Sequence, residues 1–227
     1  MTTTRKLTPT FKIVRASFKQ RQDRMDFVVR HFGKHIENNA LDVGCDNRYL
    51  ARLLPELDYT GIDLNDTADL TINLETTPAL PFENDSFETV ICTDVLEHLD
   101  NLHEIFAELI RVCARNLIIS LPGNWANARL PIARGRGAIA HYGLPVHKPV
   151  DRHKWFFSLE EAQRFLTAQA GIHDIELDEL VACQKKRPPW LEALRHIRHP
   201  SMTSYLNRYG HTIFARYTIP AQPHATP

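Results

Sequence analysis

Ala40-Leu41-Asp42-Val43-Gly44-Cys45-Asp46-Asn47-Arg48-Tyr49-Leu50 reads as a short buried strand that breaks at Gly44 into a tight polar turn and resumes as a helix. Leu41 and Val43 are the strand's apolar positions. Asp46 or Asn47 is placed to cap the helix, and Tyr49, Leu50, Leu53 and Leu54 form its inner face. Such a unit brings backbone N–H groups and the positive end of a helix to one point. Asp63 closes a second apolar strand, Tyr59-Thr60-Gly61-Ile62-Asp63, 19 residues after Gly44. An acid about 20 residues past the glycine turn, at the tip of the adjacent strand, can accept hydrogen bonds from both ribose hydroxyls. The pair predicts an adenosine-containing cofactor.

Upstream, Met25, Val28, Val29, Phe32 and Ile36 fall on one face of a predicted helix over 23–38. Residues 1–22 carry six Lys or Arg and no acid, and read as a flexible basic lead-in. Downstream, only six residues separate Asp63 from the apolar run 70–74, too few for a helical crossover between parallel strands. The third strand is therefore expected to be short, or its helix lost. Thr89–Thr93 and Asn116–Leu121 read as buried parallel strands, with an amphipathic helix from Leu102 to about Ala114 between them. Strands and helices alternate to residue 122, which predicts an α/β sheet covered on both faces. Ligands on such sheets bind outside the carboxyl ends of the strands, where Gly44, Asp63, Asn73, Asp94 and Pro122 all fall.

Residues 123–157 read as an insertion folding over that edge. Ser158-Leu159-Glu160-Glu161 is a capping box opening a helix that Gly171 closes. Two further strands, 172–183 and 211–219, are joined by a basic segment read as a solvated amphipathic helix. That gives one domain over 23–219 and a polar tail, 220–227.

Composition narrows the function. Net charge is +0 with 43% hydrophobic residues, so no global field draws the chain to nucleic acid or acidic lipid. No apolar run approaches the length of a membrane span. The N-terminus lacks a secretory core, and the four scattered cysteines read as reduced thiols of a cytoplasmic protein rather than zinc ligands. A nicotinamide dehydrogenase is disfavoured because Gly-x-Gly-x-x-Gly is missing.

Taken together, Leu41-Asp42-Val43-Gly44-Cys45, the acid ending strand two, Leu80-Pro81-Phe82 with Ser86-Phe87-Glu88, Asp94-Val95-Leu96-Glu97-His98-Leu99, and Arg152-His153-Lys154-Trp155-Phe156-Phe157-Ser158 before a helix and Ala-Gly-Ile resemble the class I S-adenosylmethionine-dependent methyltransferases. The likeness spans about residues 38–183. It implies a Rossmann-like seven-stranded sheet in the order 3-2-1-4-5-7-6, strand seven antiparallel, with S-adenosyl-L-methionine as cofactor. It implies that Asp42, Gly44, Cys45 and Asp46 face the methionine half, Asp63 and Leu64 the ribose, Asn73 and Leu74 the adenine, and Thr93 and Asp94 the sulfonium and amine. The family's Gly-x-Gly-x-Gly retains only Gly44, with Asp46 and Arg48 at the other glycine positions. The expected reaction is methyl transfer to a hydroxyl or other nucleophile of a small-molecule, lipid or glycan acceptor. Nucleic acid is possible but not favoured. Of His98, His141, His147 and His153, the two inside matched segments, His98 and His153, are the candidate bases. No metal ligand is assigned. Asp94, Glu97, His98 and His153 together resemble the metal site of small-RNA 2′-O-methyltransferases, which keeps a metal-assisted reaction on RNA or a vicinal diol as one alternative. A non-enzymatic or weakly active cofactor-binding scaffold with a degenerate glycine loop is the other.

Overall fold

The computed structural model of the protein describes residues 10–149 and 151–220. Eight strands form one sheet: β1 Thr10–Arg15, β2 Asn39–Val43, β3 Asp58–Asp63, β4 Leu70–Thr71, β5 Phe87–Thr93, β6 Cys113–Pro122, β7 Glu176–Gln184 and β8 Gly210–Thr218. Their order is β1-β7-β8-β6-β5-β2-β3-β4, with β8 antiparallel to both its neighbours and every other pair parallel. This is the expected seven-stranded order with one strand added at its edge. Seven α-helices accompany the sheet among the described residues: α1 Gln22–Phe32, α2 Tyr49–Leu53, α3 Leu102–Arg111, α4 Asn124–Arg134, α5 Leu159–Ile172, α6 Pro189–Arg198 and α7 Met202–Tyr209.

The period-2 alternation of the central strands divides the core between the two faces. Val90, Cys92, Leu117, Ile119, Ile213 and Ala215 pack with α3, α5 and α7 on one side. Ile91, Ile118, Val181 and Phe214 pack with Phe27, Val28 and Phe32 of α1 and Leu50 of α2 on the other. All four cysteines are buried and free. No helix among the described residues is long and apolar enough to cross a membrane.

The added strand corrects the flexible reading of 1–22 over residues 10–15. Thr10–Arg15 lies parallel to β7, with Thr10 opposite Glu179 and Arg15 opposite Gln184. Its β-branched positions serve both faces, Ile13 on one cluster and Val14 on the other, while Lys12 pairs with Glu179 at 2.7 Å. The charge count outweighed this short β-favouring run in the sequence reading; residues 1–9 and the tail after 220 lie outside the described residues. The third strand is short, as expected: Leu70–Thr71 pairs with Ile62–Asp63, with no helix between. In place of a helix, Asp69 accepts the Gly61 amide at 2.8 Å and returns its own amide to the Gly61 carbonyl. Gly171 does not end its helix; α5 runs to Ile172, and the left-handed turn falls at Asp174 (φ 53°).

The capping box is formed in full. The Glu161 amide donates to Ser158 Oγ at 3.1 Å and the Ser158 amide to Glu161 Oε2 at 2.8 Å, with Ser158 buried. Ser158→Ala is expected to cost about 1 kcal/mol and to lower the melting temperature by about 2–4 °C, read by calorimetric melting against Ser158→Thr, which keeps the cap.

Candidate functional site at the carboxyl edge of the sheet

The turn after β2 keeps the shape that three glycines would give it. Positions 44, 46 and 48 all have positive φ: Gly44 at 76°, Asp46 at 49° and Arg48 at 58°. A side chain at Gly44 would be strained at this φ and would displace Val95, since a Cβ on it would lie 2.3 Å from Val95 Cγ2. Asp46 adopts the left-handed region at lower cost than most residues, and its amide donates to Asp63 Oδ2 at 2.9 Å. The Gly44 and Cys45 amides both donate to the Ile62 carbonyl. Asn65 and Thr67 close the turn from the far side, donating to the Asp46 carbonyl at 3.1 and 2.7 Å. The sequence thus brings Gly44, Cys45, Asp46 and Asp63 together as expected, and the reading missed Asn65 and Thr67.

Arg48 does not neutralise Asp46. It pairs with Asp69 at 2.7 Å and lies over the Tyr59 ring, while Asp46 reaches the exposed Arg21 at 3.5 Å. Asp42 is 1% exposed; Tyr59 donates to its Oδ2 at 3.1 Å and its Oδ1 has no partner. Burial raises its carboxyl to about 7, with the neighbouring Asp63 charge adding a smaller push. Burial, and then Asp42, likewise push the Cys45 thiol up to about 12.

At the end of β5, Thr93 gives way to Asp94, itself left-handed (φ 51°). Its carboxylate is fully engaged: Ser120 Oγ donates at 2.6 Å and Arg24 of α1 pairs at 2.5 Å. Arg24 is a residue the sequence reading missed. It sits in the first turn of α1, where the sequence marked only an apolar packing face, and its Nε is buried without a partner. Leu74 is buried and Leu64 exposed, and Asn73 lies past β4, its Oδ1 accepting the Glu75 amide.

The insertion closes on the segment after β5. The Lys154 amide donates to the Glu97 carbonyl at 2.8 Å, and Trp155 Nε1 to the Leu99 carbonyl at 2.7 Å. His98 and His153 are brought together, ring centres 4.4 Å apart, with His141 stacked on His153. His98 Nδ1 is 2.7 Å from Asp151 Oδ1. Because a carboxylate only accepts, Nδ1 is the nitrogen that donates to it, and in the neutral imidazole Nε2 is then the acceptor. Burial, then the charges of His98 and His141, hold the His153 imidazole neutral, down at about 3. Glu97 is 1% exposed with neither carboxylate oxygen bonded; the His98 and His153 Nε2 atoms stand 3.8 and 3.9 Å from its Oε1. Burial, and then Asp94, raise its carboxyl well above the usual range. These three donors lie within 4.8 Å of one another, a grouping able to hold a cation. Asp94, engaged elsewhere, is not among them.

The residues present fit an adenosylated cofactor at this edge. Each Asp63 oxygen spends one lone pair on a backbone amide, from Asp46 and from Asn65, and keeps another, while the Arg24 Nε offers a buried, unspent donor.

A family model described as a methyltransferase domain matches residues 12–176. A search of curated proteins returns no match. Among solved structures, the fold is similar to that of a small RNA methyltransferase (TM-score 0.59, 14% identity, 92% of this chain and 26% of that one). It is also similar to the cyclase SpnF (0.56, 17%, 92% and 85%) and to a magnesium protoporphyrin IX methyltransferase from Synechocystis with bound SAH (0.51, 14%, 86% and 80%). At these identities the likeness is one of fold.

Asp42 makes stability depend on pH with a definite sign. Its unfolded pKa is near 3.9 and its folded value about 7. Between the two the native state holds a proton that the unfolded chain has released, so this contribution falls as pH rises through that window. Asp42→Asn should therefore be more stable than the parent at pH 8 and lose that advantage by pH 4, read by urea unfolding at the two values. Equal differences at both would show that folding leaves the Asp42 pKa unshifted.

Proposed function

We propose a function from one premise: this chain belongs to the methyltransferase domain family. It binds S-adenosylmethionine along the carboxyl edge of the sheet and moves the methyl group to a hydroxyl, or another nucleophile, of a small molecule or glycan by in-line displacement. The observation that carries this reading is the left-handed backbone at 44, 46 and 48, with Asp63 bonded into it. Holding non-glycine residues in that shape costs about 1 kcal/mol apiece, a strain expected where the turn's shape is used.

When bound, the cofactor supplies a methyl group already activated on a sulfonium, so the protein's task is chiefly positioning. In this reading Asp63 accepts the ribose hydroxyls, with Leu64 beside it, and Asn73 and Leu74 flank the adenine. Arg24 offers its guanidinium to the carboxylate of the methionine end, and Thr93 and Asp94 stand by the amine. His98, fixed by Asp151, takes the proton of an acceptor hydroxyl through Nε2. His153, held neutral, orients it.

Titration calorimetry should give binding heat for S-adenosylmethionine and S-adenosylhomocysteine; a natively folded protein that gives none for either overturns the cofactor reading and leaves a non-enzymatic binding protein on this fold. A tritiated-methyl transfer screen over metabolite, lipid, sugar and RNA pools then identifies the acceptor. With that acceptor, His98→Gln should lower kcat about 100-fold or more with cofactor affinity unchanged.

A second reading has its own observation, the unbonded buried carboxylate of Glu97 facing two imidazoles. A buried carboxylate without hydrogen bonds is costly, and one carboxylate with two nitrogen donors suits a divalent first-row metal. A cation held by Glu97, His98 and His153 would lower the pKa of one hydroxyl of a vicinal diol, such as an RNA terminus. Manganese or cobalt titrated into chelator-treated protein should then bind at one equivalent and not bind Glu97→Gln. If neither metal binds, nor magnesium or manganese activates transfer to any vicinal diol, the metal reading fails.

A further inference from the structure

Helix α6 is mounted inside out. Its buried contact is a charge: Glu192 is 6% exposed and takes the Arg15 guanidinium of β1 on both oxygens, at 2.5 to 3.0 Å. On the same side His196 stacks on Tyr205 of α7 at 3.9 Å and Arg195 covers the Tyr209 ring at 4.2 Å. These contacts fix the helix's rotation, and they turn Trp190, Leu194 and Ile197, an i, i+4, i+7 stripe, out to solvent at 68%, 55% and 79% exposure. The ordinary arrangement would bury such a stripe.

Helix α4 continues the patch. Arg129 also lies over the Tyr209 ring, at 5.3 Å, so α4 and α6 both reach α7, and α4 exposes Trp125 and Ile132 at 46% and 66%. The charge around these side chains has one sign. Residues 123–150 contain no Asp or Glu, and 185–210 contain only Glu192, already committed to Arg15, beside six Lys or Arg. In a chain of net charge +0 this is a strong local excess, which the overall balance conceals.

We infer that the α4–α6 face docks onto the surface of an anionic lipid bilayer. Tryptophan and aliphatic side chains on a cation-rich helical face match the headgroup boundary, where the apolar stripe enters the acyl region and Lys or Arg meet lipid phosphates. A polyanion such as RNA would use the cations and gain nothing from Leu194 and Ile197. Both helices follow strands, β6 and β7, whose carboxyl ends form the candidate site's edge, so docking would bring that edge to the membrane. The inference stands whether or not the chain transfers methyl groups.

The test is co-sedimentation of the full chain with vesicles of phosphatidylcholine alone and of phosphatidylcholine with one-third phosphatidylglycerol. The protein should partition onto the anionic vesicles at least about 10-fold better, lose binding as salt is raised, and shift its tryptophan emission to the blue. Leu194→Glu with Ile197→Glu, on exposed positions, should abolish partitioning while leaving the melting temperature and S-adenosylmethionine calorimetry at parental values. Lys185→Glu with Lys186→Glu should weaken it while the apolar stripe is intact. The inference is overturned by equal partitioning onto both vesicles, by no partitioning, or by binding that survives Leu194→Glu with Ile197→Glu. It is also overturned if that double variant instead dissolves a dimer seen by light scattering in a protein that ignores vesicles, or if an RNA oligonucleotide binds and vesicles do not.

Discussion

The hydrogen bond from the Asp46 amide to Asp63 is the joint on which the carboxyl edge depends. It ties a turn with one glycine to the tip of the neighbouring strand, and the Ile62 carbonyl adds a second tie by accepting the Gly44 and Cys45 amides. The connection from β3 to β4 completes the clasp. That segment has no helix, and what it supplies instead is Asn65 and Thr67 to the Asp46 carbonyl and Asp69 to Arg48. The missing helix and the missing glycines are thus related features: the short connection braces a backbone that glycines would otherwise have adopted unaided.

The edge also concentrates acids that must be reconciled with burial. Asp94 is reconciled by Arg24 and Ser120, which occupy both its oxygens. Asp42 has only the Tyr59 hydroxyl, and burial drives it toward the protonated form. The Glu97 carboxylate has no hydrogen-bond partner among the described residues, and the histidines around it come from two distant parts of the chain. The three acids therefore stand in three different states of compensation within one short stretch of sheet edge, and the least compensated one faces the imidazoles.

At the opposite flank, β1 does more than lengthen the sheet. Arg15 at its end clamps Glu192, and that pair turns α6 so that its polar side faces the protein. An edge strand and a surface helix, 177 residues apart in the chain, jointly set what the molecule shows to solvent.

The central α/β order, the short third strand, the capping box and the meeting of Gly44, Cys45, Asp46 and Asp63 were legible in the sequence because each rests on local periodicity or short-range turn chemistry, which the chain writes out in order. The edge strand Thr10–Arg15 was not, since its pairing with β7 is a long-range choice and its local charge resembled a solvated arm. Nor were Arg24 on Asp94 and Asp151 on His98, because nothing in a helix or a loop marks which distant carboxylate or imidazole its side chain will meet. The exposure of Trp190, Leu194 and Ile197 is the sharpest case. Spacing determined that they share one face of a helix, but contacts formed only on folding, Arg15 on Glu192, His196 on Tyr205 and Arg195 on Tyr209, decided that this face points outward.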